Sequence, residues 1–159
     1  MNRARILVRK AARRLELSIP GAPVRCFPVA LGRNSAADKR VEGDLATPIG
    51  EFYVCAKNPK SRYLLSLCIS YPNAEDARRG LTDGLISDAE HAQIVAAIRL
   101  GAIPPQRTRL GGEIYIHGQP GRAEAGRGDW TRGCVALENS AMRTVYEAAD
   151  IGTPVTILE

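Results

Sequence analysis

The stretch IYIHGQPGRAEAGRGDWTRGCVALENSAM, residues 114–142, contains two chemically versatile side chains. His117 is one of only two histidines in the 159-residue chain, and Cys134 is one of four cysteines. Each is next to a glycine, in the pairs His117-Gly118 and Gly133-Cys134. Three interpretations follow: a catalytic pair, a fragment of a metal site, or two structural residues that are neighbours only in sequence.

The residues before Gly118 alternate in the manner of a β-strand. In the segment EIYIHG, Ile114 and Ile116 are expected to point into the core, so that Tyr115 and His117 share the opposite face with Glu113. His117 is then not part of the apolar core. It lies at a strand end, beside a glycine that lets a ligand approach closely.

A second short strand, CVAL, begins at Cys134 after a loop rich in glycine and arginine. A thiol is nucleophilic as its thiolate, and a neighbouring imidazole can accept the proton. The backbone N–H groups of Gly133 and Cys134 are candidates for holding an oxyanion. Three arginines of the loop would also favour the thiolate: Arg122, Arg127 and Arg132. Free cysteines are often simply buried, so the pair by itself leaves a structural role open.

The rest of the chain predicts one domain, residues 1–159, that is mainly β with two helices, an α+β fold of the β-sandwich type. The segments predicted as strands are RILVRKAARRLELSI, VRCFPVALG, TPIGEFYVCA, SRYLLSLCISYP and GTPVTIL. Ser87 and Glu90 form the capping-box pattern of a helix that ends at Gly101. His91 is on its apolar face and is interpreted as structural. The second helix covers about residues 139–150, with Asn139 or Ser140 as its cap.

Composition narrows the partners. The net charge of +5, with a pI near 9.3, suits an acidic substrate or an anionic polymer. Because the sequence contains no nucleic-acid recognition motif, nucleic acid binding is not expected. No stretch is long and apolar enough for membrane insertion. The apolar run Ile6–Val8 is too short for a secretory signal, which predicts a cytoplasmic protein. The alternative is a trimmed form of a protein of the periplasm or cell envelope.

The other cysteines give no sign of a metal or redox site. Cys26, Cys55 and Cys68 form no CxxC pair with each other or with Cys134, and they occupy apolar, strand-like surroundings. They are expected to be buried free thiols, which fits a reducing compartment. Neither a metal nor a cofactor is predicted.

Several motifs together resemble the YkuD-type L,D-transpeptidase catalytic domain, and most closely its YafK-like murein branch. They are IHG, GDWTRGCVAL and GTPVTIL in the second half, and EGDLATPIGEF and NPKSRYLLSLCISYPN in the first. The resemblance extends from about residue 5 to residue 158. It implies a β-sandwich-like fold and acyl transfer on peptidoglycan stem peptides or muropeptides.

In that resemblance Cys134 matches the nucleophile and His117 the general base. Gly118 matches the residue whose carbonyl orients the histidine, and Thr131, Arg132 and Gly133 match the stretch before the nucleophile. Arg132 departs from the commonest motif, which has histidine or serine there. It is predicted to bind a substrate carboxylate, the alternative being a solvent-facing loop residue. Trp130 and Tyr115 are predicted to line the cleft, with core packing as the alternative for Trp130.

The resemblance also implies the bond that is cleaved. It joins the L-centre of a diamino acid at position three of the stem to D-alanine at position four, and cleavage leaves a thioester on the enzyme. The missing signal favours water as the acceptor, which gives an L,D-carboxypeptidase of muropeptide recycling. The alternatives are 3-3 crosslinking, attachment or detachment of wall-linked protein, and, from another class, a catalytically silent peptidoglycan-binding module. The sequence leaves the oligomeric state open.

Overall fold

The computed structural model describes residues 3–119 and 128–159, which form eight strands and three helices. In chain order the elements are β1 (Arg5–Arg9), β2 (Arg14–Ser18), β3 (Arg25–Pro28), β4 (Gly50–Ser61), β5 (Leu64–Ile69), α1 (Ala74–Thr82), α2 (Asp88–Arg99), β6 (Tyr115–His117), β7 (Val135–Ala136), α3 (Asn139–Ala148) and β8 (Pro154–Leu158). The predicted β-rich architecture is confirmed.

All eight strands belong to one curled sheet, in the order β3-β2-β1-β8-β4-β5-β6-β7. The 12-residue strand β4 links the two halves, because its first part pairs with β8 and its second part with β5. A register shift between Val54 and Ala56 marks the point of change, where a bulge bends the strand. An antiparallel bridge between Ala30 and Ala136 then brings the segment after β3 against β7, at the far end of the sheet order.

One apolar cluster fills the inside of the curl. It takes Ile6 and Leu17 from the first hairpin and Leu67, Ile116 and Val135 from the other half of the sheet, each at most 1% exposed. Helix α3 contributes its own buried apolar face to the same cluster. Ile114 and Ile116 are both buried, as the alternation predicts, but His117 is buried as well, at 3% exposure, where the Tyr63 and Trp130 rings pack against it.

The prediction of two helices is wrong, because a third helix, α1, lies between β5 and α2. It begins at the N-cap Asn73, whose side chain and that of Asp76 form a capping box. Its buried residues are the short or polar Asp76, Ala77 and Gly80, so the segment has no stripe of large apolar residues at helical spacing. The capping pattern at Asn73 and Asp76 therefore indicated a helix, but the spacing of the apolar residues did not.

Helix α2 agrees with its prediction, with Ser87 as N-cap, Glu90 in a capping box and Gly101 just beyond its end at a φ of 66°. The predicted cap of α3 is wrong. Its N-cap is Glu138, without a side-chain cap hydrogen bond. The Asn139 side chain instead accepts a hydrogen bond from the Gln119 backbone N–H at 2.9 Å, which connects the start of α3 to the residues after His117.

Cys55 and Cys68 are buried as predicted, but Cys26 is exposed, which corrects the third assignment. Cys26 is on β3, the edge strand of the sheet, where its side chain has no second layer to cover it. Across residues 3–119 and 128–159, no helix has the length and apolar character needed to cross a membrane.

Candidate active site

The turn before Cys134 is held by hydrogen bonds within the turn and by close packing. Thr131 Oγ1 donates to the Cys134 carbonyl oxygen at 2.7 Å and accepts from the Gly133 N–H at 3.1 Å. Gly133 has a φ of +137°, and a Cβ there would lie 2.8 Å from the Ala46 carbonyl oxygen. A side chain at position 133 would therefore both strain the backbone and displace the neighbouring loop.

The same turn is anchored to the first hairpin by an ion pair. Arg13 Nη2 lies 2.7 Å from Asp129 Oδ2, and Arg13 Nε donates to both carboxylate oxygens at 3.0 Å. Asp129 Oδ1 also accepts from the Leu31 N–H at 3.0 Å. These hydrogen bonds hold the pKa of Asp129 below its usual value against the opposing effect of burial. Asp129 is thus a structural residue of the DWTRGC motif.

Replacing Arg13 with alanine is expected to lower the free energy of unfolding by about 1–2 kcal/mol, since the half-buried Asp129 loses a charged partner. Arg14→Ala is the matched control, because the adjacent Arg14 has a side chain that is 44% exposed and, among the described residues, pairs with Glu16 alone. Its loss should cost about 0.5 kcal/mol or less. Urea unfolding of both variants measures the difference, and equal losses would contradict the anchoring role of Arg13.

The imidazole of His117 is fixed by a hydrogen bond and two aromatic rings. Its Nδ1 lies 2.5 Å from the Gly118 carbonyl oxygen, and because a carbonyl only accepts, Nδ1 carries the hydrogen. Tyr63 stacks on the imidazole with a centroid distance of 4.3 Å, and Trp130 meets it edge-on at 5.8 Å. Nε2 is therefore the unprotonated nitrogen of a neutral ring.

Strand pairing brings Cys134 and His117 to one face of the sheet. In the parallel pair β6–β7, Ile116 is opposite Val135 and His117 is opposite Ala136. Ile116 and Val135 point into the core, so the residues that flank them point to the other face. Cys134 and His117 are diagonal neighbours there, a relation in which Cα atoms are about 7–8 Å apart.

The thiol of Cys134 rests at the start of β6. Its Sγ accepts from the Tyr115 N–H at 3.4 Å and donates to the Glu113 carbonyl oxygen at 3.5 Å. Within the described residues it makes no hydrogen bond to His117. Burial raises the pKa of Cys134 to about 11, and the Tyr115 N–H and the charge of Lys39 oppose this only in part.

This resting state corrects the expectation of an arginine-stabilised thiolate. Arg132 is exposed and is not among the groups that shift the pKa of Cys134, while Arg122 and Arg127 lie outside the described residues. Burial lowers the pKa of His117, and the charge of Arg62 lowers it further, against the Gly118 hydrogen bond, which raises it. At neutral pH both partners are therefore uncharged, and the thiol needs a base to become nucleophilic.

A groove of about 310 Å³ follows the outer face of β4, β5 and β6. Cys134 and His117 are not among its lining residues, but Glu113 and Tyr115 are, and their backbone atoms contact the Cys134 thiol. Its lining includes Ser66 and Cys68 from β5, Tyr115 from β6, and Glu113 just before it. Ser66 is paired with His117 and Cys68 with Tyr115. The groove therefore leads along the sheet to the positions of His117 and Cys134.

Comparison with known proteins identifies the family. Residues 3–157 match the model of the YkuD family, described as the L,D-transpeptidase catalytic domain. The chain belongs to the YkuD family. The resemblance found in the sequence motifs is thereby confirmed over nearly the whole chain. No curated protein matches the chain.

Solved structures agree with this YkuD assignment. The K307A mutant of Pgp2, a helical cell shape determining protein of Campylobacter jejuni, is 27% identical, with a TM-score of 0.66 over 99% of this chain and 47% of Pgp2. An L,D-transpeptidase from Mycobacterium smegmatis is 15% identical, with a TM-score of 0.58 over 99% of this chain and 59% of that one. LdtMt1 in complex with imipenem is 15% identical, with a TM-score of 0.55 over 98% of this chain and 58% of its own. The chain thus spans about half to three fifths of the length of these neighbours.

The four residues predicted to bind substrate in this YkuD domain occupy different positions. Tyr115 lines the groove, and Trp130 is half-buried against His117 and outside the apolar core. Thr131 is buried, and its hydroxyl is engaged within the turn, where it supports Cys134. Arg132 is exposed and makes no side-chain hydrogen bond to the residues that the structure describes. Substrate contact by these residues stays a prediction.

Sequence reasoning missed Tyr63 and Arg62, which form the turn between β4 and β5. Tyr63 stacks on His117, and the Arg62 guanidinium lies 4.7 Å from the Tyr63 ring centroid. Aromatic residues are scarce in the chain, so each polar aromatic residue was a candidate for the site, and this was the signal that could have pointed to Tyr63. The pairing of β5 with β6 that brings this turn to His117 is long-range and has no local signature.

Among the residues that the structure describes, no cluster of three or more His, Cys, Asp or Glu side chains is arranged to bind a metal ion.

Proposed function

We propose that this YkuD domain transfers the acyl group of peptidoglycan stem peptides through a thioester on Cys134. The observation that carries the proposal is the arrangement on β6–β7, where Cys134 and His117 share one face beside a groove of about 310 Å³. The substrate bond is the amide between the diamino acid at position three and D-alanine at position four.

In the first half-reaction His117 acts as the base. Rotation about the Cα–Cβ bond of Cys134 turns the thiol from Glu113 towards Nε2, which accepts its proton as sulfur attacks the carbonyl carbon. The Cys134 N–H makes no hydrogen bond within the described residues and is the proposed donor to the oxyanion, while the Gly133 N–H is engaged by Thr131. The imidazolium then donates the proton to the nitrogen of D-alanine, which leaves.

The second half-reaction returns the enzyme to its starting state. An acceptor attacks the thioester carbonyl, His117 accepts the acceptor's proton, and the proton passes to the departing sulfur. We propose that water is the main acceptor for soluble muropeptides, such as a cytoplasmic enzyme would meet, because water at bulk concentration outcompetes scarce amines. The result is an L,D-carboxypeptidase that turns tetrapeptides into tripeptides.

Incubation with purified tetrapeptide muropeptides, followed by mass spectrometry, tests the acceptor. We expect free D-alanine and tripeptide as the dominant products. Crosslinked dimers as the main product would assign the chain to transpeptidation instead, and export of the native gene product in a fusion reporter would remove the argument for soluble substrates. A silent binding module would release no D-alanine, and its Cys134 would react with electrophiles no faster than free cysteine.

A carbapenem is expected to acylate the protein at one site, Cys134, so that the protein mass rises by that of one carbapenem molecule. The strained ring amide stands in for the scissile bond, and its carbonyl forms a thioester with the thiol. The imipenem complex of LdtMt1 shows that this class of compound binds a protein of the same fold. Intact-mass measurement and peptide mapping give the site, with Cys26→Ala as the control that leaves the adduct unchanged. An adduct on another residue, or none, would contradict the proposed nucleophile.

A further inference from the structure

Among the described residues that line the groove, Glu113 is the one acidic residue, and its backbone contacts the Cys134 thiol. Its backbone is in the left-handed region, with a φ of 55°, which few residues other than glycine adopt without cost. The conformation is held in place because the Glu113 N–H donates to Gln106 Oε1 at 2.7 Å. At the preceding Gly112, a Cβ would lie 2.5 Å from the Gln106 carbonyl oxygen, so the two segments are in close contact.

This fixed backbone connects Glu113 to the nucleophile. Its carbonyl oxygen accepts the hydrogen bond of the Cys134 thiol, and Glu113 is a lining residue of the groove together with Tyr115 and Cys68. The carboxylate makes no hydrogen bond or ion pair within the described residues and is exposed to solvent. It is therefore available to a ligand in the groove.

The other polar groups of the groove are engaged elsewhere or uncharged. Lys57 Nζ donates to the carbonyl oxygens of Tyr146 and Ala149 at 2.8 and 2.6 Å, and it lies 4.2 Å from the Tyr146 ring centroid. The Gln106 amide nitrogen donates to two backbone carbonyls. The described part of the groove thus offers a ligand one free charge, and that charge is negative.

We propose that Glu113 is a specificity residue that binds the side-chain ammonium group of the stem-peptide diamino acid. The proposal rests on the proposed function, because the side chain of the residue that supplies the scissile carbonyl in that substrate carries a cationic amine. The amine belongs to the donor stem or to an incoming acceptor stem, and the chemistry of recognition is the same for both.

Ammonium binding at Glu113 would also activate the thiol. Burial is the main cause of the raised pKa of Cys134, and the negative charge of Glu113 adds a smaller increase. An ammonium beside the carboxylate cancels this repulsion, which lowers the pKa of Cys134 and makes proton transfer to His117 easier. The free enzyme is then less reactive towards unrelated electrophiles than the enzyme with its own substrate bound.

The test compares tetrapeptides that differ only in the charge of the amine. One contains diaminopimelate, or lysine if that is the diamino acid the wild type accepts, with the side-chain amine free, and the other has that amine acetylated. We expect Glu113→Gln to lower kcat/KM for D-alanine release from the free-amine peptide about two- to fivefold, the range for a charge pair near the surface. Its kcat/KM for the acetylated peptide should be no lower than that of the wild type.

Two controls separate charge recognition from damage to the site. Glu147→Gln removes an exposed carboxylate from α3, outside the groove lining, and should change neither rate. The reaction of Cys134 with a neutral electrophile should be as fast in Glu113→Gln as in the wild type, or faster. A slower reaction would mean that the substitution disturbs the turn.

The outcomes distinguish the two sources of the amine. If Glu113→Gln no longer releases D-alanine faster from the free-amine peptide than from the acetylated peptide, Glu113 binds the amine of the donor stem. Unchanged release, with fewer crosslinks to an added acceptor tripeptide, assigns it to the acceptor. Wild-type enzyme that releases D-alanine equally from both peptides and shows no effect of Glu113→Gln on crosslinking overturns the inference and leaves the proposed function standing. If the wild type releases D-alanine from neither peptide, both the inference about Glu113 and the proposed function are wrong.

Discussion

Cys134→Ala is expected to abolish D-alanine release, by about 10³-fold or more, because it removes the thiol that is proposed to form the thioester. The fold should be retained, since Cys134 is only partly buried and lies outside the apolar core cluster. Single-turnover measurement of D-alanine, together with circular dichroism and thermal unfolding, checks both parts.

Cys26→Ala is the matched control for Cys134→Ala, because Cys26 is exposed on the edge strand β3 and its loss removes little packing. It should keep the wild-type rate. Cys55 and Cys68 are buried, and Cys68 lines the groove, so they are less suitable as controls. A Cys134→Ala rate above about 1% of wild type would rule out Cys134 as the nucleophile.

His117→Ala is expected to lower kcat/KM by about 10²-fold or more at neutral pH, the usual scale for a positioned base. The thiol would then depend on its own ionisation, which burial places near a pKa of about 11. His91→Ala on α2 is the control and should leave the rate near wild type.

The pH dependence gives a second measure of the role of His117. The base must be neutral, and burial holds its pKa below 6.5, so the wild-type rate should rise with pH through that lower value and then level off. In His117→Ala the rate should instead keep rising with pH towards the thiol pKa. A mutant with a wild-type profile, or a large loss in His91→Ala, would show that another group removes the proton.

The prediction of a nucleophile and a base rests on local signals. Cys134 and His117 each lie beside a glycine, and the alternation in EIYIHG shows which face His117 occupies. The same alternation defined the strands of the first hairpin, and the Ser87–Glu90 pattern defined α2. Family membership also followed from short motifs along the chain.

The sequence-based predictions were wrong where tertiary contacts, and not the local sequence pattern, decide whether a residue is buried, charged or helical. Cys26 has an apolar sequence context but lies on an edge strand without a covering layer. The expected thiolate was inferred from neighbouring arginines, whereas the thiol pKa depends mainly on burial. Helix α1 has a capping box but almost no apolar face, so its helical structure depends on packing against α2.

By itself, the sequence determined the β-rich fold class and the family, and it predicts the Cys134–His117 pair, because glycines, strand alternation and caps act over a few residues. The tertiary structure alone decided what surrounds that pair. The stacking of Tyr63 on His117, the anchoring of Asp129 by Arg13 and the position of the Glu113 carboxylate in the groove each join segments far apart in the chain. Contacts of this kind depend on strand order and on the curl of the sheet, which no short stretch of sequence specifies.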